Sequence, residues 1–449
     1  MTIKLTFFGG VEGEVGGNQV LLEVGEDKVL LDMGCNFARW RRYFVFPTLM
    51  PREPGEYFRV GIVHEDLREP GSDHVRSDVT ACLISHAHTD HYDAICTLKP
   101  GEEGPAIYMG ETAYALVRAR YGRARKSPLV ERVRALLDQN VRTFRTRHRI
   151  ELSDLAIVPW HVDHSVPGAY AFIIDTPGGL VVYTGDFRLH GSYSEELRAA
   201  GQGETTKKQF WEVALDLAAE AGGVKALICE GTNVGETANP LTEKDVKDLL
   251  LRCMTACEGL IIVNTSSYDV DRLRTLKEVA SEVGRELVAP EGFLYALKAL
   301  ESDAGLKDLP RVGKDVLAFS EVKEDVKARQ ADYVLLTAFF REREIIEVEP
   351  VPGSCFILSS SEPFEEESEI EFERLKNWLE MFGVPIYHIH ASGHAHPHHL
   401  RQVVQELRPE VVLPIHTARP RSFAKFISDV AEEGGGEVIV PRRGQAIMI

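Results

Sequence analysis

The run His86-Ala87-His88-Thr89-Asp90-His91, set directly behind the apolar stretch Val79–Ile84, constrains this chain more than any other feature. A single histidine in such a place is ordinarily a satisfied surface or core side chain. Three imidazoles and a carboxylate crowded into six residues argue against that reading. If the strand carries on to His88, its period-two alternation sends His86 and His88 off one face, where both reach one ion. Asp90 and His91 follow where the chain must turn, so they can face a second ion. Imidazole and carboxylate donors suit zinc or manganese, and two ions allow a shared hydroxide to act as nucleophile.

Such a cluster needs partners from distant sequence, and polar residues just past the ends of apolar strands are where open α/β sheets place their sites. Three fit that description: His164 in His161-Val162-Asp163-His164-Ser165, Asp186 in Thr184-Gly185-Asp186, and His416 behind Val411–Ile415. A carboxylate such as Asp186 has two oxygens to share between two cations. Period and turn signals predict strands at Lys4–Phe8, Gln19–Val24, Lys28–Asp32, Ala169–Asp175 and Leu180–Thr184, with Ala226–Cys229 ending at Glu230. From about residue 240 to 370 a second α/β block is expected. It carries strands at Leu260–Val263, Glu286–Ala289, Tyr333–Thr337 and Cys355–Ser359, and a helix capped by Asp269 and ended by Gly284. After an acidic helix around Glu365–Met381, Val384–Ile389 leads to His390.

These motifs together resemble the metallo-β-lactamase superfamily: HAHTDH, a lone histidine in DHS, YTGD, and a late PIH. The resemblance implies an α/β fold, an αββα sandwich with an inserted α/β β-CASP domain. Its parts would be residues 1–235 and 375–449 for the sandwich and 236–374 for the insert. By the same resemblance His86, His88 and His164 would hold one divalent ion and Asp90, His91 and His416 the other. Asp186 would bridge them, and Asp32 in Leu31-Asp32-Met33-Gly34 would be a buried supporting aspartate. Zinc is the expected metal, with manganese as the alternative.

An acidic residue behind a strand, Glu230, followed by His390-Ala391-Ser392-Gly393-His394-Ala395 and then by His416, is similar to the β-CASP branch, whose characterised members cleave nucleic acid. Within it the chain looks like ribonuclease J and its archaeal relatives. That implies a two-metal phosphodiester hydrolase acting on single-stranded RNA, a 5′-to-3′ exonuclease with endonuclease activity besides, preferring a 5′-monophosphate. His394 would protonate the leaving 3′-oxygen and Glu230 would orient its ring, with Asp90 beside them in the catalytic set. His390, Ser392, Gly393, His394 and Ser360 would hold phosphate. The alternatives are an endonuclease of the mRNA 3′-end-processing type, a DNA-directed relative, a small-ester hydrolase and a non-catalytic RNA-binding protein. The sequence departs from the ribonuclease J pattern after its late histidine, where His416-Thr417-Ala418-Arg419 replaces HGE. It stops 33 residues beyond His416, so the extra C-terminal domain of bacterial ribonuclease J is not expected and a homodimer would form some other way.

The net charge of −18 speaks against a polyanionic substrate, but charge is unevenly spread. Between Arg118 and Arg149 eleven Lys or Arg face two acids, Glu131 and Asp138, on what reads as a basic helix pair, whereas Glu362 to Glu373 is strongly acidic. Fields decay over a Debye length of about 8 Å, so a local patch can govern binding. The segment Phe37–Tyr43 mixes arginines with aromatics, which suits base stacking and protein interfaces equally. No apolar run approaches the roughly 20 residues of a membrane span. MTIKLTFFGG opens on strand-like sequence rather than a signal peptide, and the seven cysteines form no CxxC pair. A cytoplasmic enzyme with reduced thiols and no membrane partner is therefore expected.

Overall fold

The computed structural model describes residues 1–191, 208–235, 241–301, 303, 306, 308–338, 342–361 and 366–449. The boundary expected after residue 235 and part of the acidic run Glu362 to Glu373 lie outside the described residues. The chain gathers into two compact units: Met1–Leu189, Leu197–Ala238 and Gly393–Ile449 in one, His190–Glu196 and Asn239–Ser392 in the other.

In the first unit, period-two sequences build two seven-stranded sheets. One runs in the order Ala446–Met448, Lys4–Gly9, Gln19–Val24, Asp27–Leu31, Ala81–Ile84, Ala106–Gly110, Val141–Phe144. The other runs Glu437–Val438, Val411–Ile415, Val224–Glu230, Gly179–Tyr183, Ala169–Thr176, Ala156–Val162, Ile150–Glu151. Alternation decides which side chains meet between them. Tyr170, Phe172 and Ile174 of one strand join Val181 and Tyr183 of its neighbour, and these pack against Phe7, Val20, Leu22 and Leu31 of the facing sheet. The intervening Ala171, Ile173, Leu180 and Val182 turn outward against the helices Phe210–Ala221, Pro397–Leu407 and Pro420–Glu433. Helices Glu111–Arg123 and Pro128–Gln139 cover the other sheet's outer side, the latter started by Pro128 and the Ser127 hydroxyl that accepts from the Val130 N–H. The result is the expected αββα sandwich.

Strand direction places the site. Asp27–Leu31 and Ala81–Ile84 run parallel, so the segments after Leu31 and Ile84 leave one edge together. Gly179–Tyr183, Val224–Glu230 and Val411–Ile415 are also mutually parallel and deliver Asp186, Glu230 and His416 behind their C-terminal ends.

The second unit is a six-stranded, all-parallel sheet in the order Val316–Ala318, Glu286–Ala289, Tyr333–Thr337, Ile261–Asn264, Cys355–Leu358, Ile386–His388. Its central strands are buried on both faces and read as continuous apolar runs, as parallel strands do. Asp269 accepts from the Arg272 N–H and starts the helix Val270–Glu282 as its sequence predicts. No described helix is long and apolar enough to cross a membrane.

Candidate metal centre

The strand behind the histidine run stops at Ile84, so His86 and His88 do not leave a strand face as expected. The reason is local. Asp32, the residue after Leu31, has φ of 59° and turns its carboxylate across the strand ends, where Oδ1 accepts the Ser85 N–H at 2.7 Å. That bond takes the place of the next rung of the sheet. His88 then precedes the single helical turn Thr89–Tyr92, which carries Asp90 and His91.

Both histidines still converge. His86 Nε2 lies 3.1 Å from His88 Nδ1, and His164 Nε2 lies 3.0 Å from the same His88 nitrogen. Asp186 Oδ2 faces this trio at 3.7 Å from His86 and 4.0 Å from His164. On its other side it faces a second set, 3.1 Å from His91 Nε2 and 3.6 Å from His416 Nε2. Asp90 Oδ2 closes that set, 3.1 Å from His416 and 3.7 Å from His91. All seven residues named from the sequence therefore fall into neighbouring donor groups, His86, His88, His164 and Asp186 in one and Asp90, His91 and His416 in another, and Asp186 also groups with His394 and His416.

The outer nitrogens of four rings are anchored, and the anchors set which nitrogen faces inward. His91 Nδ1 meets Asp32 Oδ2 at 2.7 Å, His164 Nδ1 meets the Gly393 carbonyl at 2.6 Å, and His86 Nδ1 meets Ser85 Oγ at 3.0 Å. Ser85 Oγ in turn donates to Asp32 at 2.8 Å, so it accepts from the His86 ring. Thr232 Oγ1 donates to the His416 carbonyl at 3.1 Å and sits 2.8 Å from its Nδ1. Each anchored N–H leaves the opposite nitrogen with its lone pair aimed into the cluster.

The donor set fits divalent cations. Asp186 Oδ1 is buried and lacks a hydrogen-bond partner, a costly arrangement unless an ion faces it. Burial, reinforced by the neighbouring rings, holds His86 and His164 well below the usual imidazole range, in the neutral form that binds metal. Burial also acts on His91, but Asp186, Asp90 and Asp32 outweigh it and push that ring up. The cluster thus carries negative charge that a cation can satisfy in place of a proton.

Beside the cluster, the fully buried Glu230 accepts the Thr232 N–H on Oε2 and the Ala395 N–H on Oε1, each at 2.9 Å. The two bonds aim Oε1 at His394 Nδ1, 3.6 Å away. Burial opposes charging His394, yet Glu230 and then Asp186 overcome it and raise the ring to about 9. Gly393 has no room for a side chain, since a Cβ would stand 2.6 Å from Ser165 Oγ. The remaining phosphate-holding candidates belong to the second unit. There Ser360 Oγ donates to Asn264 Oδ1 at 2.9 Å, His390 stacks on His388, and the Ser392 carbonyl lies 2.8 Å from His190 Nε2.

The sequence motifs did not single out the supporting hydroxyls Ser85, Thr232 and Tyr183, or Asn233, whose amide donates to the carbonyls of His394 and Ala395. Only their position next to the named residues, as in Glu230-Gly231-Thr232-Asn233, could have drawn notice.

The sandwich and its paired donor groups define a protein of metallo-β-lactamase fold with the donor set of a metal-dependent hydrolase. A model of the beta-lactamase superfamily domain matches residues 53–202. The particular relatives it resembles are proteins named Ribonuclease J. One from Pyrococcus abyssi is 26% identical over 100% of this chain and 97% of its own length. One from Sinorhizobium meliloti is 26% identical over 91% of this chain and 67% of its own length. Among solved structures, a protein of unknown function from Enterococcus faecalis V583 shares the fold with a TM-score of 0.70 at 19% identity, covering 100% of both chains.

Proposed function

We propose that this protein is a two-metal-ion phosphodiester hydrolase acting on single-stranded RNA in the cytoplasm, a 5′-to-3′ exoribonuclease with endonuclease activity besides. The observation that carries the reading is the Glu230–His394 pair beside seven metal donors. A proton donor braced by a buried carboxylate suits a reaction that must expel an alkoxide, as the 3′-oxygen of a phosphodiester is. The names of the relatives supply RNA as the substrate.

His86, His88 and His164 would hold one ion, Asp90, His91 and His416 the other, with Asp186 between them. Zinc is proposed, with manganese as the alternative. When bound, the ions supply Lewis acidity at the phosphate and make water a nucleophile at neutral pH. The chain's own residues do the rest. Asp32, Ser85, Thr232 and the Gly393 carbonyl hold the rings in position. Glu230 keeps Nδ1 of His394 protonated and the ring aligned, so that His394 delivers a proton to the leaving 3′-oxygen. The unit containing Asn239–Ser392 is read as the inserted β-CASP domain, placed at 236–374 from sequence. Ser360, His390, Ser392 and Gly393 are its proposed contacts, with the adjoining loop, for a substrate phosphate. A homodimer is proposed for the assembly.

The test is product mapping on end-labelled RNA bearing a 5′-monophosphate, 5′-triphosphate or 5′-hydroxyl, with wild-type, Asp186→Ala and His394→Ala proteins. Mononucleotides released from the 5′ end, fastest with the monophosphate, are expected. His394→Ala should lose roughly 10²–10⁴-fold in rate, the usual worth of a general acid. Unchanged cleavage by both variants sinks the proposal. Internal fragments alone would move it to an endonuclease, equal activity on DNA to a less selective nuclease, and activity confined to a chromogenic ester to a different class.

A further inference from the structure

The segment that follows the strand Val224–Glu230 grips the one that carries the proton donor. Glu230 accepts the Ala395 N–H, and the Asn233 amide donates to the carbonyls of His394 and Ala395 at 3.0 and 3.2 Å. Thr232 lies between these contacts in sequence, its own N–H held by Glu230 Oε2 at 2.9 Å. Its hydroxyl serves two rings at once. Oγ1 is 2.8 Å from His416 Nδ1 and 3.2 Å from His394 Nδ1, and it is 3.1 Å from the His416 carbonyl. The two rings stack at 5.3 Å, which lets one oxygen reach both.

A threonine behind a strand ordinarily bonds its own local backbone. Here the count of hydrogens says more. A threonine hydroxyl has one hydrogen and two lone pairs. The His416 carbonyl can only accept, so it takes the hydrogen, and the two lone pairs accept one Nδ1–H from each ring. Each ring thereby has its nitrogens assigned. His416 presents Nε2 to Asp90 Oδ2 at 3.1 Å and to Asp186 Oδ2 at 3.6 Å. His394 keeps a hydrogen on Nδ1, which makes Nε2 the nitrogen that serves a substrate. Glu230 Oε1, 3.6 Å from His394 Nδ1, lies beyond hydrogen-bond length and acts on the ring through its charge, whereas the hydroxyl lies within it. His416 also has φ of 54°, and its backbone is held there from both sides, by the Gly10 carbonyl at 2.7 Å and by Thr232.

We infer that Thr232 is a positioning residue that couples the proton donor His394 to the candidate metal ligand His416, so that ordering His416 for an ion also aligns His394. Its His394 half rests on the hydrolytic reading, and its His416 half on the donor geometry alone. In the cleavage step the proton leaves His394 Nε2 for the 3′-oxygen, which takes the electron pair of the breaking P–O bond. Nδ1 keeps its hydrogen on Thr232, so the ring ends neutral in the form that the hydroxyl already holds.

The test compares Thr232→Val, which keeps the shape and loses the hydroxyl, with Thr232→Ser, which keeps the hydroxyl. Zinc retention by the full-length protein is read in competition with a chromophoric chelator. Cleavage at saturating zinc is read on RNA and on a p-nitrophenyl phosphodiester, whose leaving group departs without a proton. Thr232→Val should hold zinc at one of its sites roughly 10–100-fold more weakly. Its kcat should fall at least about tenfold further on RNA than on the aryl ester, a part of the 10²–10⁴-fold worth of a general acid, with KM for RNA little changed. Thr232→Ser should recover most of both losses, and Thr232→Ala replaces Thr232→Val if the latter fails to fold. Wild-type zinc retention by the folded Val or Ala variant, equal losses on the two substrates, or no recovery in Thr232→Ser overturns the inference. Absence of cleavage by the wild-type protein would instead overturn the proposed function, and the zinc competition would still decide the His416 half.

Discussion

Asp32 shows how much of the candidate metal centre rests on one side chain that is not among its donors. It is fully buried, and its carboxylate gathers the Ser85 N–H at 2.7 Å, the Ser85 hydroxyl at 2.8 Å, the Tyr183 hydroxyl at 2.6 Å and His91 Nδ1 at 2.7 Å. Those donors come from the histidine loop and from the facing sheet, so one carboxylate fixes both sides of the site. Asp32→Asn keeps the shape and tolerates the left-handed backbone. It also turns an acceptor into an NH₂ group that faces donors, leaving buried groups unsatisfied. A loss of about 2–3 kcal/mol in stability is expected, with metal affinity down roughly 10–100-fold. Urea denaturation and metal content after dialysis measure the two effects. Wild-type values for both would show that Asp32 is not the support its bonds suggest.

At the level of elements, the sequence was most readable where periodicity and charge agree. Tyr333–Thr337 and Val411–Ile415 form where their apolar runs predict. It was least readable where a charge is buried. Helix Val270–Glu282 has the expected cap and apolar positions, yet Arg272 on it is fully buried, contrary to the rule that charges mark the solvent side. Its Nη2 donates to Glu243 Oε1 at 2.9 Å and its Nη1 to the Ser359 carbonyl at 2.8 Å. This ties the start of the helix Glu243–Ala256 to the end of the strand Cys355–Leu358, a partnership invisible without coordinates. Removing one member strands a buried charge, so Glu243→Ala should cost about 3–5 kcal/mol. Glu243→Ala combined with Arg272→Met should restore most of that, because the unpaired charge is gone. A double-mutant cycle by chemical denaturation checks it, and additive losses would falsify the account.

Across the whole molecule, the seven candidate metal donors were legible because each sits behind an apolar strand, and parallel strands bring such ends to one edge. The hydroxyls Ser85, Thr232 and Tyr183 were not, since hydroxyls carry no spacing signal and meet the site only through the fold. Charge distribution poses a question at the same scale: how a chain with net charge −18 would bind a polyanion. The basic segment forms the helices Glu111–Arg123 and Pro128–Gln139 and the strand Val141–Phe144 at one end of its sheet. Part of its charge is structural. Arg132 donates to the carbonyls of Cys96 and Leu98, and Arg134 to those of Tyr121 and Ala124. Arg125 and Lys126, by contrast, are exposed in the turn between the two helices. Screening over about 8 Å hides distant acidic residues from a strand lying on this turn. If RNA is the substrate, removing a cation that neutralises one phosphate should make the slope of log K against log salt shallower by about 0.7. Arg125→Ala/Lys126→Ala, placed in an Asp186→Ala background so that the RNA is not consumed if the proposed function holds, should therefore bind single-stranded RNA more weakly with a slope shallower by roughly 1.4. Fluorescence anisotropy across a salt series reads this directly, and a slope identical to that of Asp186→Ala alone would remove the turn from the RNA path.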